Sequence, residues 1–229
     1  MPLPEPFRLI GGGLAAALLL TLTPGCGAAA ETTVNAPAPR LDPASTTRLD
    51  TAIFAGGCFW GVEGVFSHVK GVTKVVSGYA GPNDPPVDYE RVSSGTTGFA
   101  EAVRVTYDPS VVSYGTLMRV FFSVITDPTT LNYQGPDHGT QYRSALFPMT
   151  PMQDKTARAY LAQLGDARLW NKPIVTKVER YRGFQQAEDY HQDFLARHPD
   201  HGYIRQWDMP KLVAFKATFP TLWQAQATR

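Results

Sequence analysis

Cys58 lies in Gly56-Gly57-Cys58-Phe59-Trp60-Gly61 and is the one thiol in the part of the chain patterned like a folded domain; Cys26 ends an apolar N-terminal stretch. A thiol set among aromatic rings and glycines, just after the strand-like run Thr51-Ala52-Ile53-Phe54-Ala55, has the setting of a nucleophile at a strand-to-helix junction. With a pKa of about 8.5, a free thiol is only a few per cent ionised at neutral pH, so a nucleophile needs help. The first turn of a helix, with its unpaired N–H groups and positive dipole end, is expected to favour the thiolate. Gly56 and Gly57 permit a sharp turn and close backbone approach, and Gly61 is best explained by another group packed against the helix. Phe59 or Trp60 alone reads as core; together, directly after the thiol, they read as walls of a small apolar pocket.

Glu101 is the second informative position. In the strand Phe99 to Tyr107, residues Phe99, Val103, Val105 and Tyr107 form the apolar face, and Glu101 shares their parity. Either the register is otherwise, or Glu101 is a desolvated acid, protonated near neutral pH and able to give a proton. The five histidines include no pair at metal-ligand spacing accompanied by a second cysteine, so no metal site is expected. His191 reads as a helix-face residue that packs or hydrogen-bonds locally, with a general base for Cys58 as the alternative. His138 reads as an exposed loop residue, and Glu63, five residues after Cys58, as structural or supporting.

The elements that must position these residues alternate along the chain. Strands are expected at 51–56, 72–79, 99–107, 143–147 and 173–180, and helices at 58–69, 113–125, 150–164 and 185–197. The order implies an α+β domain: a two-layer sandwich of helices on a mixed β-sheet around a ferredoxin-like core. The loops 80–98 and 126–142 are long and rich in Gly, Pro, Asp and Asn, which in a compact domain points to function. After Gly202 the chain is apolar but irregular, a C-terminal tail expected to wrap the surface, with Pro210 and Pro220 breaking any long helix. A net charge of +1 without a basic cluster argues against nucleic acid as a partner.

Ahead of the domain, Arg8 precedes an apolar stretch, Leu9 to Leu22, that is short and glycine-broken. Residues 1–30 therefore resemble a secretory signal. Gly25-Cys26 resembles a lipoprotein processing site, although Thr23 stands where leucine is usual; Ala28 and Ala30 offer an ordinary Ala-x-Ala site. Acylation or removal would take the Cys26 thiol out of play, and an unprocessed chain would leave a Cys26–Cys58 disulfide open. Residues 31–48, rich in Ala, Thr and Pro, read as a flexible linker, and 49–229 as the catalytic domain. An exported protein is expected, periplasmic or held to a bacterial envelope membrane by N-terminal lipid.

Four motifs, Gly57-Cys58-Phe59-Trp60-Gly61, Gly78-Tyr79-Ala80-Gly81, Tyr89 through Glu101, and Gln134 through Ser144, closely resemble the peptide methionine sulfoxide reductase A family, in order over most of residues 50–200. The resemblance implies that Cys58 attacks the sulfoxide sulfur and ends as a sulfenic acid while Glu101 protonates the oxygen. It implies further that Tyr89 and Tyr142 hydrogen-bond that oxygen, that Phe59 and Trp60 hold the substrate methyl, and that Asp137 and Gly57 support the site. It implies reduction of the S epimer, protein-bound and free, in repair of oxidised proteins. Phe99, Tyr133 and Pro136 depart from the family's common histidine, arginine and asparagine. The stretch 198–229 also lacks the C-terminal cysteine that many members use to resolve the sulfenic acid. A monomer without bound cofactor follows, reduced by an external thiol: thioredoxin, glutaredoxin with glutathione, or another redoxin. The rivals are a thiol peroxidase, a hydrolase using Cys58 with His191, and a lipoprotein in which the motif is scaffold only.

Overall fold

A computed structural model describes residues 33–82 and 86–228. Five segments carry the strand periodicity of a sheet: β1 (Asp50–Gly56), β2 (Val72–Ala80), β3 (Ala100–Tyr107), β6 (Ser144–Phe147) and, at an edge, β8 (Phe184–Gln186). Between them lie α1 (Phe59–Ser67), α2 (Tyr89–Ser93), α3 (Tyr114–Val120), which runs on as a π-helical turn Phe121–Ile125, and α4 (Pro151–Ala167). A two-residue hairpin pair, β4 (Tyr133–Gln134) and β5 (Asp137–His138), precedes β6, and β7 (Lys177–Val178) follows α4.

The main sheet has the order β7-β6-β1-β3-β2-β8, with β6 and β7 parallel and every other pair antiparallel. Taken in sequence, β1, α1, β2, β3, α3 and β6 with spatial order β6-β1-β3-β2 form the expected ferredoxin-like core of an α+β domain. Its helix-covered face buries Phe54, Val103, Val105 and Tyr107 against Val62, Val65 and Phe66 of α1 and Leu117 and Phe121 of the α3 segment. Phe54 sits at the centre, its ring 4.9 Å from Phe66 and 5.3 Å from Phe121. The other face combines small residues, Ala55, Ala80, Ala100, Ala102 and Ala145, with Ile53 and Phe147, and Tyr181 and Phe184 pack over them. Both faces being covered, β1 and β3 are buried almost end to end.

Several expected elements take another form. The helix expected over 185–197 is instead the edge strand β8, a 3-10 turn Asp189–His191 and the short α5 (Phe194–Arg197). Polar side chains account for the difference. Gln185 bonds both backbone groups of Val87, Glu188 takes up Tyr79 and Tyr89, and Gln192 brackets Ser77 of β2, so the segment is tied to its neighbours group by group. The strand expected over 173–180 pairs only at Lys177–Val178, because Val175 and Thr176 N–H groups go to the Pro128 carbonyl. Pro210 does not break a helix: it stands in the first turn of α6 (Met209–Thr218), where its missing N–H costs nothing, directly after a π-helical turn Ile204–Asp208.

The linker reading of 31–48 also needs correcting where it falls on described residues. The Ala36 carbonyl accepts from Arg119 Nε at 2.7 Å, Tyr160 donates to the Pro37 carbonyl at 2.7 Å, and Asp42 accepts from the Gly115 N–H at 3.0 Å. Ala36 is fully buried. Residues 33–42 are thus a strap across α3 and α4, held by backbone carbonyls and one carboxylate that composition could not reveal. The signal and lipid-site readings, with Cys26, lie outside the described residues.

Candidate active site

The site is assembled where β1 hands over to α1. Gly57 has φ +95°, and a Cβ there would stand 2.6 Å from Gln134 Cβ, so only glycine lets the chain turn beneath the 126–142 loop. Gln134 is rigid because its amide bonds the Asp127 carbonyl and Thr130 Oγ1 at 2.8 and 2.7 Å. Cys58 is the N-cap residue of α1, 8% exposed and unpaired with another cysteine among the described residues. The Phe59 N–H, an unpaired donor of the first turn, gives its hydrogen bond to Glu101 Oε2 at 3.0 Å. Glu101 has the parity expected of it: it faces the helices and is 2% exposed.

Burial raises the Glu101 carboxyl to about 8, with Asp137 and Asp208 adding to the rise and the Phe59 N–H opposing it. It is therefore a neutral acid at neutral pH. The thiol departs from the expectation of an ionised group: burial, then Glu101 and Asp208, push Cys58 well above its ordinary value, and the Trp60 backbone N–H is the only lowering influence among the principal ones. Carboxyl groups crowd the positive end of α1, and the Phe59 N–H is already given to one of them, Glu101. Another, Asp208, was not legible in sequence; it is fully buried, with Lys211 Nζ 3.9 Å away, and it occupies the space beside Gly61. A Cβ on Gly61 would stand 2.2 Å from Asp208 Oδ1, so the close approach read from that glycine is found.

The two loop tyrosines reach the same place. Tyr142 follows from the 3-10 turn Thr140–Tyr142, which Arg143 ties to β3 by bonds to the Phe99 and Gly98 carbonyls while its guanidinium pairs with Glu179 at 2.8 and 3.1 Å. Tyr89 opens α2, its N–H bound to Glu188 at 2.9 Å. Burial and the nearby Glu101 charge raise both phenols, which stay neutral donors. Asp137 sits on β5 and accepts from the Tyr203 hydroxyl; burial raises its carboxyl. Tyr203 comes from the stretch read as an irregular tail and carried no sequence signal.

A cavity of about 100 Å³ opens beside Cys58, lined by Gln134, Pro136, Asp137, Tyr203, Trp207 and Lys211 among others. Phe59 is 1% exposed and belongs to the core, packed on Tyr79 and His191. Trp60 is half-buried and stacked on Phe194 at 3.8 Å, with Tyr203 edge-on at 5.8 Å. His138 stacks on Tyr133 in the loop at 5.1 Å. Among the described residues no group of three or more His, Cys, Asp or Glu side chains is placed to hold a metal ion.

A buried thiol at a helix start, a neutral carboxylic acid bonded to the next residue's N–H and two phenols beside it define a thiol oxidoreductase with a built-in proton donor. Comparisons with known proteins agree. The peptide methionine sulfoxide reductase family model matches residues 50–221. A relative named peptide methionine sulfoxide reductase MsrA 2, from Mesorhizobium japonicum, is 52% identical, covering 80% of this chain and 94% of its own. Among solved structures, reduced Mxr1 from Saccharomyces cerevisiae superposes with a TM-score of 0.61 at 34% identity over 70% of this chain and 92% of its own. Methionine sulfoxide reductase A of Corynebacterium diphtheriae gives 0.58 at 31% over 72% and 84%. The chain belongs to the peptide methionine sulfoxide reductase family. It is an oxidoreductase that returns methionine sulfoxide to methionine, a reaction of protein repair.

Proposed function

We propose that Cys58 is the nucleophile, Glu101 the acid, and Tyr89 and Tyr142 the donors that hold the sulfoxide oxygen. The observation that carries this reading is the Glu101 carboxyl, buried, raised to about 8 and bonded to the Phe59 N–H next to the thiol. The Cys58 sulfur bonds to the substrate sulfur while Glu101 protonates the oxygen, which removes the charge that building up on that oxygen would otherwise cost. The phenols, both neutral, hydrogen-bond the oxygen as it departs. In sum the oxygen passes to Cys58 as a sulfenic acid, two electrons pass to the substrate sulfur, and methionine leaves. Two external thiols then return the sulfenic acid to the thiol, giving one disulfide and one water.

Trp60 forms the exposed part of the methyl-binding wall with Phe59 behind it in the core, a sulfur–ring contact being worth roughly 0.3–1.5 kcal/mol. Separate fixing of oxygen, methyl and sulfur selects the S epimer, protein-bound or free. Gly57 and Asp137 support the site, the first by letting Gln134 close on the turn and the second through Tyr203. The reductant is a thioredoxin, a glutaredoxin with glutathione or a kindred thiol, since Cys58 is the one cysteine in residues 49–229. The working form is a monomer, exported and periplasmic or tethered by lipid on Cys26, a reading supported by the Arg8 to Cys26 sequence. One measurement addresses both halves: intact mass of the exported protein after exposure to methionine sulfoxide without reductant. One added oxygen on Cys58, trappable by a sulfenic-acid probe, with Cys26 either acylated or removed, is expected; an intramolecular disulfide would contradict both.

A further inference from the structure

We propose that the strap 33–42 is a specificity element of the catalytic site: it clamps the π-helical turn Phe121–Ile125 and, through Thr33, completes a rim that meets the polypeptide around a methionine sulfoxide. This role rests on the reading of Cys58 as the nucleophile. The strap lies ahead of residues 50–221, the segment matched by the family, yet Thr33 lines the cavity beside Cys58. Its neighbours bond to the turn. The Val34 N–H donates to the Ser123 carbonyl at 3.0 Å and the Ala36 N–H to Ser123 Oγ at 3.1 Å. Ser123 is 2% exposed, and a carbonyl in the last turn of a helix has no partner within it, so the strap supplies partners where water cannot. Arg119 adds a second hold, from Nε to the Ala36 carbonyl and from its guanidinium to Asn35 Oδ1 at 3.2 Å.

The clamped turn bears on the nucleophile from two directions. Gly56, just ahead of the Gly57-Cys58 turn, packs on it so closely that a Cβ there would stand 2.6 Å from the Phe121 ring and 3.3 Å from Ile125 Cγ2. Val124, buried, lines the same cavity as Cys58. The loop after the turn continues the contact, its Asp127 N–H bonded to Gln134 Oε1 at 3.0 Å, and Gln134 is the residue packed over Gly57. At the mouth of the cavity Thr33, Pro136, Gln206 and Pro210 are exposed, whereas Cys58, Val124 and Gln134 at its base are buried. A methionine side chain has only its Cβ and Cγ methylenes between backbone and sulfur. A sulfoxide brought to Cys58 through this cavity therefore leaves the flanking peptide at the mouth, where free methionine sulfoxide has nothing to place.

The test measures kcat/KM of the full chain for a methionine sulfoxide peptide and for free methionine sulfoxide, with dithiothreitol as reductant; in a cycle through an oxidised cysteine this ratio reports the sulfoxide half-reaction alone. Thr33→Trp, a change at an exposed position, is expected to lower the peptide value about tenfold and to leave the free amino acid within about twofold. Val34→Pro removes the N–H given to Ser123 while Val34→Ala keeps it, so only Val34→Pro should lower the peptide value, by about threefold. Amide hydrogen exchange across residues 123–127 should be faster in Val34→Pro and unchanged in Val34→Ala. Equal losses for both substrates, a loss for neither, or an effect confined to the dithiothreitol dependence would overturn the role of the strap in choosing substrate. A folded wild type that reduces neither substrate would instead overturn the reading of Cys58, and the exchange comparison would still decide whether the strap clamps the turn.

Discussion

At the scale of single residues, the site turns on which group carries charge at rest. Cys58 is held as a thiol and Glu101 as a neutral acid, because both are buried and carboxylates surround the start of α1. On the proposed roles, the resting enzyme carries the proton the sulfoxide oxygen needs, and ionisation of the thiol is left to the moment when substrate takes up that proton. Glu101→Gln keeps the shape and the Phe59 bond but has no proton to give, so the reductive step should fall by about 10²–10⁴ with folding unchanged, read by single-turnover quench. In wild type the same step should decline as pH rises through about 8, where Glu101 loses its proton. A profile that climbs through that range would remove Glu101 from the role. Its burial was legible in sequence, since strand parity depends only on neighbours two residues away. The direction of the Cys58 shift was not, because Asp208 lies 150 positions further on in a stretch without periodicity.

At the scale of elements, positions near in space are fixed by parts remote in sequence. Arg143 locks the Tyr142 turn to the start of β3, and the Glu188–His191 turn locks Tyr89 and Trp60. The π-helical turn before α6 brings Asp208 against Gly61. Gly61→Ala would drive a methyl into that carboxylate, so a loss of about 1–3 kcal/mol in stability and a weaker reductive step are expected, read by urea unfolding and single turnover. Unchanged stability would mean that the two segments are not in register as described. Strands β1, β2, β3 and β6 and helices α1, α3 and α4 follow from apolar periodicity, so most of the core could be read from the chain alone. The segment 185–197 could not, since its apolar spacing mimics a helix while Gln185, Glu188 and Gln192 are each committed to a distant backbone or phenol. Gly61, by contrast, announced a close neighbour without saying which.

At the scale of the whole molecule, the strap 33–42 lies over α3 and α4 and α6 packs on α1, and Thr33 reaches the wall of the cavity that holds Cys58. On another side of α1, beside Asp193 and Ser77, a further carboxyl that the proposed chemistry does not use is buried. Glu63 is raised to about 8 by burial, with the Asp193 backbone N–H opposing. A carboxyl raised in the folded state binds its proton more tightly there than in the unfolded chain, so its contribution is complete below about 4.5 and is lost as pH rises through about 8. Wild-type stability should therefore carry a downward slope over that window, shared by Glu101, and Glu63→Gln should lessen it; identical urea midpoints against pH would contradict this. The account as a whole stands on Cys58 reducing methionine sulfoxide with help from outside thiol. Its most direct test is turnover of a methionine sulfoxide peptide of defined epimer with dithiothreitol by wild type and Cys58→Ser. Consumption of the S epimer alone, abolished in Cys58→Ser, is the predicted result; turnover by folded Cys58→Ser, or none by folded wild type, would contradict it.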